Sequence, residues 1–455
     1  SNIKKFPRYK MNINEAIEKI SSSNDLEKEE IKKVFLSIMK NECNDAEIIS
    51  FLMTLKTKGE SVEEITGAAE VLREMSQKLE LPSDNLVDTC GTGGDGQNTF
   101  NISTASAIVA AAAGVKIAKH GNKSISSKSG SADLLEHAGI NIDLDENQSK
   151  KCFEDHGITF MFAPKYHKAM KNVAKVRKSI KTRTIFNVLG PLSNPANAKY
   201  QILGVYDKKL VKPIAEVARG LGVERALVVH SEEGLDEISC EKDTYVAELK
   251  DNQITEYKIN PKDFGLEICS LDNLKVKTVE DSYKIFLGML KNDNKEAVNI
   301  VCLNAGAAIY VSGIKNSLED GIKHAKEVIE SGEALKKYQT IVNSMPEKAK
   351  TPKILEEILQ NKEKEVNERK TKIPLEDLIE IDYMKSFKRK FKQALLQKLE
   401  QNKPAVIAEI KRASPSMGEL NMNIMPAKVA SDFEEMGAAC LSVLTDAKYF
   451  KGSGA

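Results

Sequence analysis

The sequence predicts an α/β protein in which a small helical domain leads into a larger α/β domain with a mostly parallel sheet. Three observations carry this. Residues 12–80 bear repeated helix-start signals. From Leu86 onward short apolar runs alternate with helical patterns. Beyond Ala405 another strand opens a further β/α unit. At roughly 150 residues per domain, 455 residues hold about three domain-equivalents.

The first region has three capping-box pairs, Asn24 with Glu27, Asn44 with Glu47 and Ser61 with Glu64. After the first, Ile31, Val34, Phe35 and Ile38 form one apolar stripe, and Gly59 closes the next helix. Buried strands are expected at Leu86–Cys90, Val115–Ala118, Ile202–Tyr206, Ala226–Val229 and Ile300–Leu303. Helices Ser103–Ala113, Ser131–Ala138 and Lys212–Leu221 fall between them. Pro346 and Pro352 bracket a charged, poorly periodic stretch. The expected division is a helical domain at 11–80 with part of 165–195, an α/β domain at 81–345, a linker at 346–352 and a last segment at 353–455.

Composition excludes several classes. Lys+Arg number 67 against 66 Asp+Glu, so no bulk basic field favours nucleic acid. The longest small/apolar run, Ala105–Val115, is too short to span a bilayer. No apolar stretch follows the basic N-terminus, so no signal peptide is visible. Seven cysteines without CxxC spacing fit reduced thiols in a cytoplasm.

The chemistry concentrates at three places. The first is the turn Asp88–Gly96, a strand-to-helix connection whose glycines let backbone N–H groups approach a phosphate. Gly91, Gly93 and Gly96 also satisfy GxGxxG. However, the next strand ends in Lys119-His120 rather than the acid that a dinucleotide ribose needs, and no Gly-Lys-Ser/Thr follows. Asn101, Ser103 and Thr104 then open a helix, placing hydroxyls and free N–H groups at its positive end. The second place runs from Lys119 to Ser131, with three lysines, five serines, two glycines and no acid, suited to a highly anionic ligand. The third is Glu232–Glu237, where adjacent carboxylates after a strand can share Mg²⁺ with substrate phosphates, a plain solvent loop being the alternative.

In order and spacing, the strings DTCGTGGDG, NISTAS, KHGNK…SGSADLLE, NVLGPLSNP and GLDE resemble the anthranilate phosphoribosyltransferase family, from about Met11 to residue 345. The resemblance implies the nucleoside phosphorylase/phosphoribosyltransferase-like fold. It implies transfer of phosphoribosyl from phosphoribosyl pyrophosphate (PRPP) to anthranilate in tryptophan biosynthesis, with Mg²⁺ as cofactor and a homodimer formed through the helical part. Implied PRPP contacts are Gly91, Gly94, Asp95, Thr99, Asn101, Ser103, Thr104, Lys119, His120, Gly121, Asn122, Ser127 and Ser131. Implied metal ligands are Ser103, Asp236 and Glu237, and anthranilate contacts Gly91, Asn122 and Arg177. Lys119, Asp236 and Glu237 are the expected catalytic groups. Arg177 also makes sense independently, since a guanidinium fork matches a carboxylate and only nine arginines stand against 58 lysines.

The tail from Pro404 to Ser416 is similar to the first barrel strand of the indole-3-glycerol-phosphate synthase family, with Glu409, Lys411 and Ser414 at its active-site positions. About 100 residues cannot complete a (β/α)₈ barrel, which needs about 250. An incomplete barrel segment without synthase activity, and with unpaired strand edges, is therefore expected. The chain opens at Ser1, and Met11 looks like the natural start of the transferase, so a piece of a longer fusion is expected. Two rivals remain at this stage. One is a nucleoside phosphorylase of the same fold. The other is a non-catalytic subunit that docks other tryptophan-pathway enzymes.

Overall fold

A computed structural model describes residues 11–123, 130–346, 353–372, 390–415 and 417–453. The chain divides into two compact units, the first ending at Lys348 and the second beginning at Ala349 in sequence.

The first unit opens with α1 (Ile13–Ser21), α2 (Lys28–Met39), α3 (Asp45–Lys58) and α4 (Val62–Met75). Asn44 and Glu47 exchange cap bonds of 2.9 and 3.0 Å at α3, and Ser61 and Glu64 do so at α4. The expected Asn24 cap fails, because Glu27 takes the cap position of α2, its N–H donating to Glu30 at 2.8 Å. The reason is tertiary: Leu26 is buried and its N–H is taken by the Glu64 carboxylate at 2.9 Å, which delays the helix. Ile31, Val34, Phe35 and Ile38 are all buried, as their spacing requires.

The α/β part runs β1 (Leu86–Gly91), α5 (Ile102–Ala112), β2 (Lys116–Gly121), α6 (Ser131–His137), α7 (Glu146–His156) and β3 (Ile158–Phe162). Short helices α8 (Ala163–Tyr166), α9 (Ala174–Ser179) and α10 (Phe186–Leu189) follow, and then β4 (Tyr200–Gly204), α11 (Val211–Gly220) and β5 (Arg225–Ser231). An edge hairpin, β6 (Thr244–Lys250) and β7 (Gln253–Ile259), precedes α12 (Val279–Leu290), α13 (Lys295–Val311), α14 (Leu318–Glu330) and α15 (Glu333–Ser344). Strand order is β3-β2-β1-β4-β5-β6-β7, parallel through β5 and antiparallel beyond it. Because β2 lies on one side of β1 and β4 on the other, the chain reverses direction at β1. A crevice forms at such a point, outside the carboxyl ends of the strands.

The pleat sends alternate residues to two cores. Ile202, Leu227 and Val229 join α5 and α12–α15 on one face, and Leu203 and Val228 join the helical domain and α11 on the other. Val173, Val176, Ile185 and Phe186 belong to that second core, so the 165–195 segment packs against the first four helices.

One expected strand is wrong: Ile300–Leu303 lies inside α13. Fourteen of the helix's seventeen residues are buried, so no polar stripe reveals its period. At Gly306 a Cβ would stand 2.5 Å from the Ile322 backbone, which lets α13 and α14 touch closely. Conversely, β3, β6 and β7 carried no signal that had been read. Before Arg177 the chain forms a 3₁₀ turn, Lys168–Val173, and Arg177 itself lies in α9.

The second unit holds α16 (Lys353–Lys372), α17 (Phe391–Glu400), β8 (Ile407–Ile410), β9 (Ala413–Ser414), β10 (Gly418–Glu419), α18 (Pro426–Glu435) and β11 (Cys440–Val443). Strands β8 and β11 pair in parallel, and among the described residues neither has a second neighbour. Ile407 and Val443 on these strands are about half exposed, at 48% and 47%. Among the described residues no helix is long and apolar enough to cross a membrane.

Candidate active site

The glycine-rich turn leaves β1 at the reversal point. Gly93, Gly94 and Gly96 adopt φ of 65°, 70° and 79°, a left-handed backbone that side chains resist. Gly91 is required for a different reason, since a Cβ there would lie 2.5 Å from Oδ2 of Asp236. The turn is knitted to the acidic loop after β5. The Gly93 N–H donates to the Asp236 carboxylate at 2.8 Å, and Nε2 of Gln97 donates to the Glu233 carbonyl at 2.7 Å. On the far side Phe100 N–H reaches the Leu274 carbonyl, and Thr99 bridges to Lys275.

Asn101 caps α5, its Oδ1 accepting the Thr104 N–H at 3.0 Å. Ser103 sits at a junction: its backbone lies beside Glu237 and favours that carboxylate's charged form, and its Oγ lies 3.3 Å from Asn101 Oδ1. Lys119 joins the same junction from below. It is only 2% exposed, and its Nζ donates to the Thr89 carbonyl and to Ser103 Oγ at 3.1 Å. Lys119 opens the stretch expected to meet an anionic ligand, and the strand pleat turns its side chain inward. The Thr104 hydroxyl is likewise interior and has no hydrogen-bond partner among the described residues.

Acids crowd here. Burial first, and then the neighbouring Asp95, push Asp236 up to about 7. Glu237 is raised well above the carboxylate range by burial and then by Asp236. Three carboxylates and the Ser103 hydroxyl are hard oxygen donors of the kind Mg²⁺ takes. Mg²⁺ keeps waters and completes its shell with substrate phosphates, so a few such donors suffice.

Beneath the crevice Asp88 is fully buried, accepting the His120 N–H at 3.1 Å and Nδ2 of Asn194 at 2.7 Å. Burial raises it to about 6 against the pull of Lys119. The His120 and His167 rings pack with centroids 5.1 Å apart. Burial first, and then His167, hold His120 down to about 3, while burial holds His167 at about 4. Asn122 is exposed, and its N–H donates to Ser131 Oγ at 3.1 Å. Gly121 packs against the same hydroxyl. Ser127 lies outside the described residues. Arg177 stands apart, stacked over Phe186 with its guanidinium 5.3 Å from the ring centroid.

Sequence reasoning missed Arg183, whose guanidinium donates to the Gly94 carbonyl, and Asn194, which braces Asp88. Asn194 lay within a quoted motif, but no local signal marked Arg183. In the second unit Glu409 and Lys411 form an ion pair at 2.7 Å, and Ser414 Oγ accepts the Met417 N–H at 3.1 Å.

Comparison with known proteins agrees with this geometry. Residues 83–335 match the glycosyl transferase family a/b domain and 14–76 its helical bundle domain. Residues 355–455 match indole-3-glycerol phosphate synthase. An anthranilate phosphoribosyltransferase of Hydrogenovibrio crunogenus is 48% identical over 342 residues, covering 75% of this chain and 99% of that protein. One from Marinomonas is 51% identical over 335 residues, covering 73% and 97%. Among solved structures, the enzyme of Thermus thermophilus superposes with a TM-score of 0.68 at 38% identity, covering 72% and 98%. That of Saccharomyces cerevisiae in complex with PRPP and Mg gives 0.67 at 30%, covering 73% and 97%. By sequence and by fold, this chain belongs to the anthranilate phosphoribosyltransferase family.

Proposed function

We propose that the crevice at the end of β1 transfers the phosphoribosyl group of PRPP to anthranilate, giving N-(5-phosphoribosyl)anthranilate and pyrophosphate. The observation that carries this is the convergence of the glycine turn, the α5 N-terminus and the Asp236–Glu237 pair on one strand-end crevice. The phosphates would meet N–H groups of Gly91, Gly94 and Asp95, with Thr99, Asn101, Ser103, Thr104, His120, Gly121, Asn122, Ser127 and Ser131 around them. Anthranilate would meet Gly91, Asn122 and Arg177.

An aryl amine is neutral at pH 7, so no strong base is needed to free its nucleophile. The departing pyrophosphate must be stabilised as its bond to C1 breaks, which makes catalysis mainly positioning and electrostatics. Ser103, Asp236 and Glu237 would hold Mg²⁺, which when bound supplies positive charge to the leaving phosphates. Lys119 works from beneath, orienting the Ser103 hydroxyl and setting its charge against Glu237. The buried histidine pair stays neutral and adds no charge beneath the crevice.

We further propose a cytoplasmic homodimer that can associate with other tryptophan-pathway enzymes. We propose that the second unit lacks synthase activity of its own, since among its described residues the parallel strands are the β8–β11 pair, whereas a barrel's phosphate site is built after strands seven and eight. The test follows anthranilate fluorescence with PRPP and Mg²⁺ present, and with each omitted. The expected result is loss of anthranilate only when both are present. Unchanged anthranilate together with phosphorolysis of a nucleoside would favour the phosphorylase reading instead.

A further inference from the structure

Arg183 lies between α9 and α10, exposed at the rim of the crevice. Its Nη2 donates to the Gly94 carbonyl, and its guanidinium stacks 4.3 Å from the Tyr206 ring centroid. Tyr206 in turn holds the other end of the turn. Its N–H donates to Thr92 Oγ1 at 3.1 Å, while the Thr92 N–H donates to the Gly204 carbonyl at 2.9 Å. Next to Arg183, Thr182 accepts a bond from Nζ of Lys56 on α3. A continuous chain of contacts therefore runs from the helical layer through Thr182 and Arg183 to Gly94, and from Tyr206 to Thr92.

Such bracing has a physical purpose. Three left-handed glycines between Thr92 and Gln97 give the turn more unfolded freedom to lose than any other sequence would. Left alone, the turn would sample orientations in which its amides do not converge. A trans peptide fixes C=O and N–H on opposite sides. With the Gly94 carbonyl tied to Arg183, the Asp95 N–H must point the other way.

We propose that Arg183 is a positioning residue for PRPP: it orients the Gly94–Asp95 peptide toward the substrate's pyrophosphate and makes the shape of the turn depend on the helical layer. This rests on the reading of the turn as a phosphate cradle. The Arg183–Tyr206 stack keeps the guanidinium in place, and a cation at this rim also favours the anionic substrate.

The test compares the full chain with Arg183→Ala, Arg183→Lys and Tyr206→Leu, varying PRPP and anthranilate in turn at fixed Mg²⁺. Arg183→Ala is expected to raise KM for PRPP about tenfold, the size of one charge-assisted hydrogen bond. KM for anthranilate and the thermal midpoint should stay as in the parent. Arg183→Lys should recover most of the loss, because an ammonium can still donate to the carbonyl. Tyr206→Leu should reproduce part of the loss with Arg183 intact. An unchanged KM for PRPP in Arg183→Ala would overturn the proposal, and so would equal changes in both KM values with a lowered midpoint. If Arg183→Ala does not fold, the Lys and Leu variants decide by the same two readouts. A parent chain that consumes no anthranilate would instead overturn the reading of the turn, and this inference with it.

Discussion

The Gly93 N–H donates to the Asp236 carboxylate at 2.8 Å, joining backbone and side chain that are 143 residues apart in the chain. This bond locks the phosphate-cradling turn to the acidic loop, so the two halves of the crevice are built as one object. Perturbing the contact surface should therefore affect PRPP and metal use together.

Gly91→Ala tests that coupling. Its Cβ would fall 2.5 Å from Asp236 Oδ2, so the carboxylate or the turn must shift. Turnover is expected to fall on the order of 100-fold, as displacements of about 1 Å at a reacting site can cause. The Mg²⁺ concentration for half-maximal rate should rise at the same time. Steady-state rates across a Mg²⁺ series check both, and a rate loss without any change in Mg²⁺ demand would count against the coupling.

Asp236→Ala combined with Glu237→Ala should abolish Mg²⁺-dependent turnover while the fold survives. The two acids are buried beside each other and beside Asp95, so the repulsion relieved by removing them offsets the loss of the Gly93 N–H bond to Asp236 and of the Lys119 charge opposite Glu237. Circular dichroism melts should match the parent within a few degrees. Unchanged turnover in the double variant would remove both residues from the metal site.

These residues were readable in the sequence because each motif is local: strand, glycine turn, helix cap and acid pair occupy short contiguous strings. What was unreadable depends on partners far along the chain. Glu64 captures the Leu26 N–H and so moves the start of α2. The strand pleat buries Lys119, which its lysine- and serine-rich neighbours in sequence do not indicate. Helix α13, apolar on every side, offers no period to distinguish its Ile300–Leu303 run from a strand. Arg183 meets the turn at a carbonyl 89 residues away, which no spacing rule encodes.

Arg177→Lys separates substrate roles. Arg177 rests on Phe186, which packs against Phe35 with centroids 5.4 Å apart, so the guanidinium is held by aromatic faces on the helical side. An ammonium cannot form the two-pronged bond to a carboxylate. KM for anthranilate should rise about tenfold, the loss of roughly 1.4 kcal/mol, with KM for PRPP unchanged. A rise in the PRPP value instead would place Arg177 elsewhere in the reaction.

Residues 353–455 should be dispensable for the transfer. Every residue assigned to PRPP, metal or anthranilate lies in the first unit, which is compact by itself. A chain ending at Pro346 is expected to keep kcat/KM for both substrates within about twofold, because the crevice and the cores described around it are built from residues before that point. A loss greater than tenfold, with the shortened chain still folded, would show that the second unit supports the crevice.

Acid should weaken this fold through His120 and His167. Both rings are buried and neutral, with folded values near 3 and 4, below the ordinary 6.5. A depressed base binds fewer protons folded than unfolded, so its stabilising contribution is full above pH 6.5 and falls as pH drops toward the folded value. Between pH 7 and pH 5 each ring should lose about 2 kcal/mol of unfolding free energy. Asp88 acts with the opposite sign, because its raised value makes acidification stabilising between about 6 and 3.8. The parent's own pH curve therefore mixes the two, and a difference between chains isolates the ring. In urea unfolding at pH 7 and pH 5, His167→Phe should lose less stability on acidification than the parent, by about 2 kcal/mol. Equal losses in the two chains would mean that His167 is already accommodated as a cation in the folded protein.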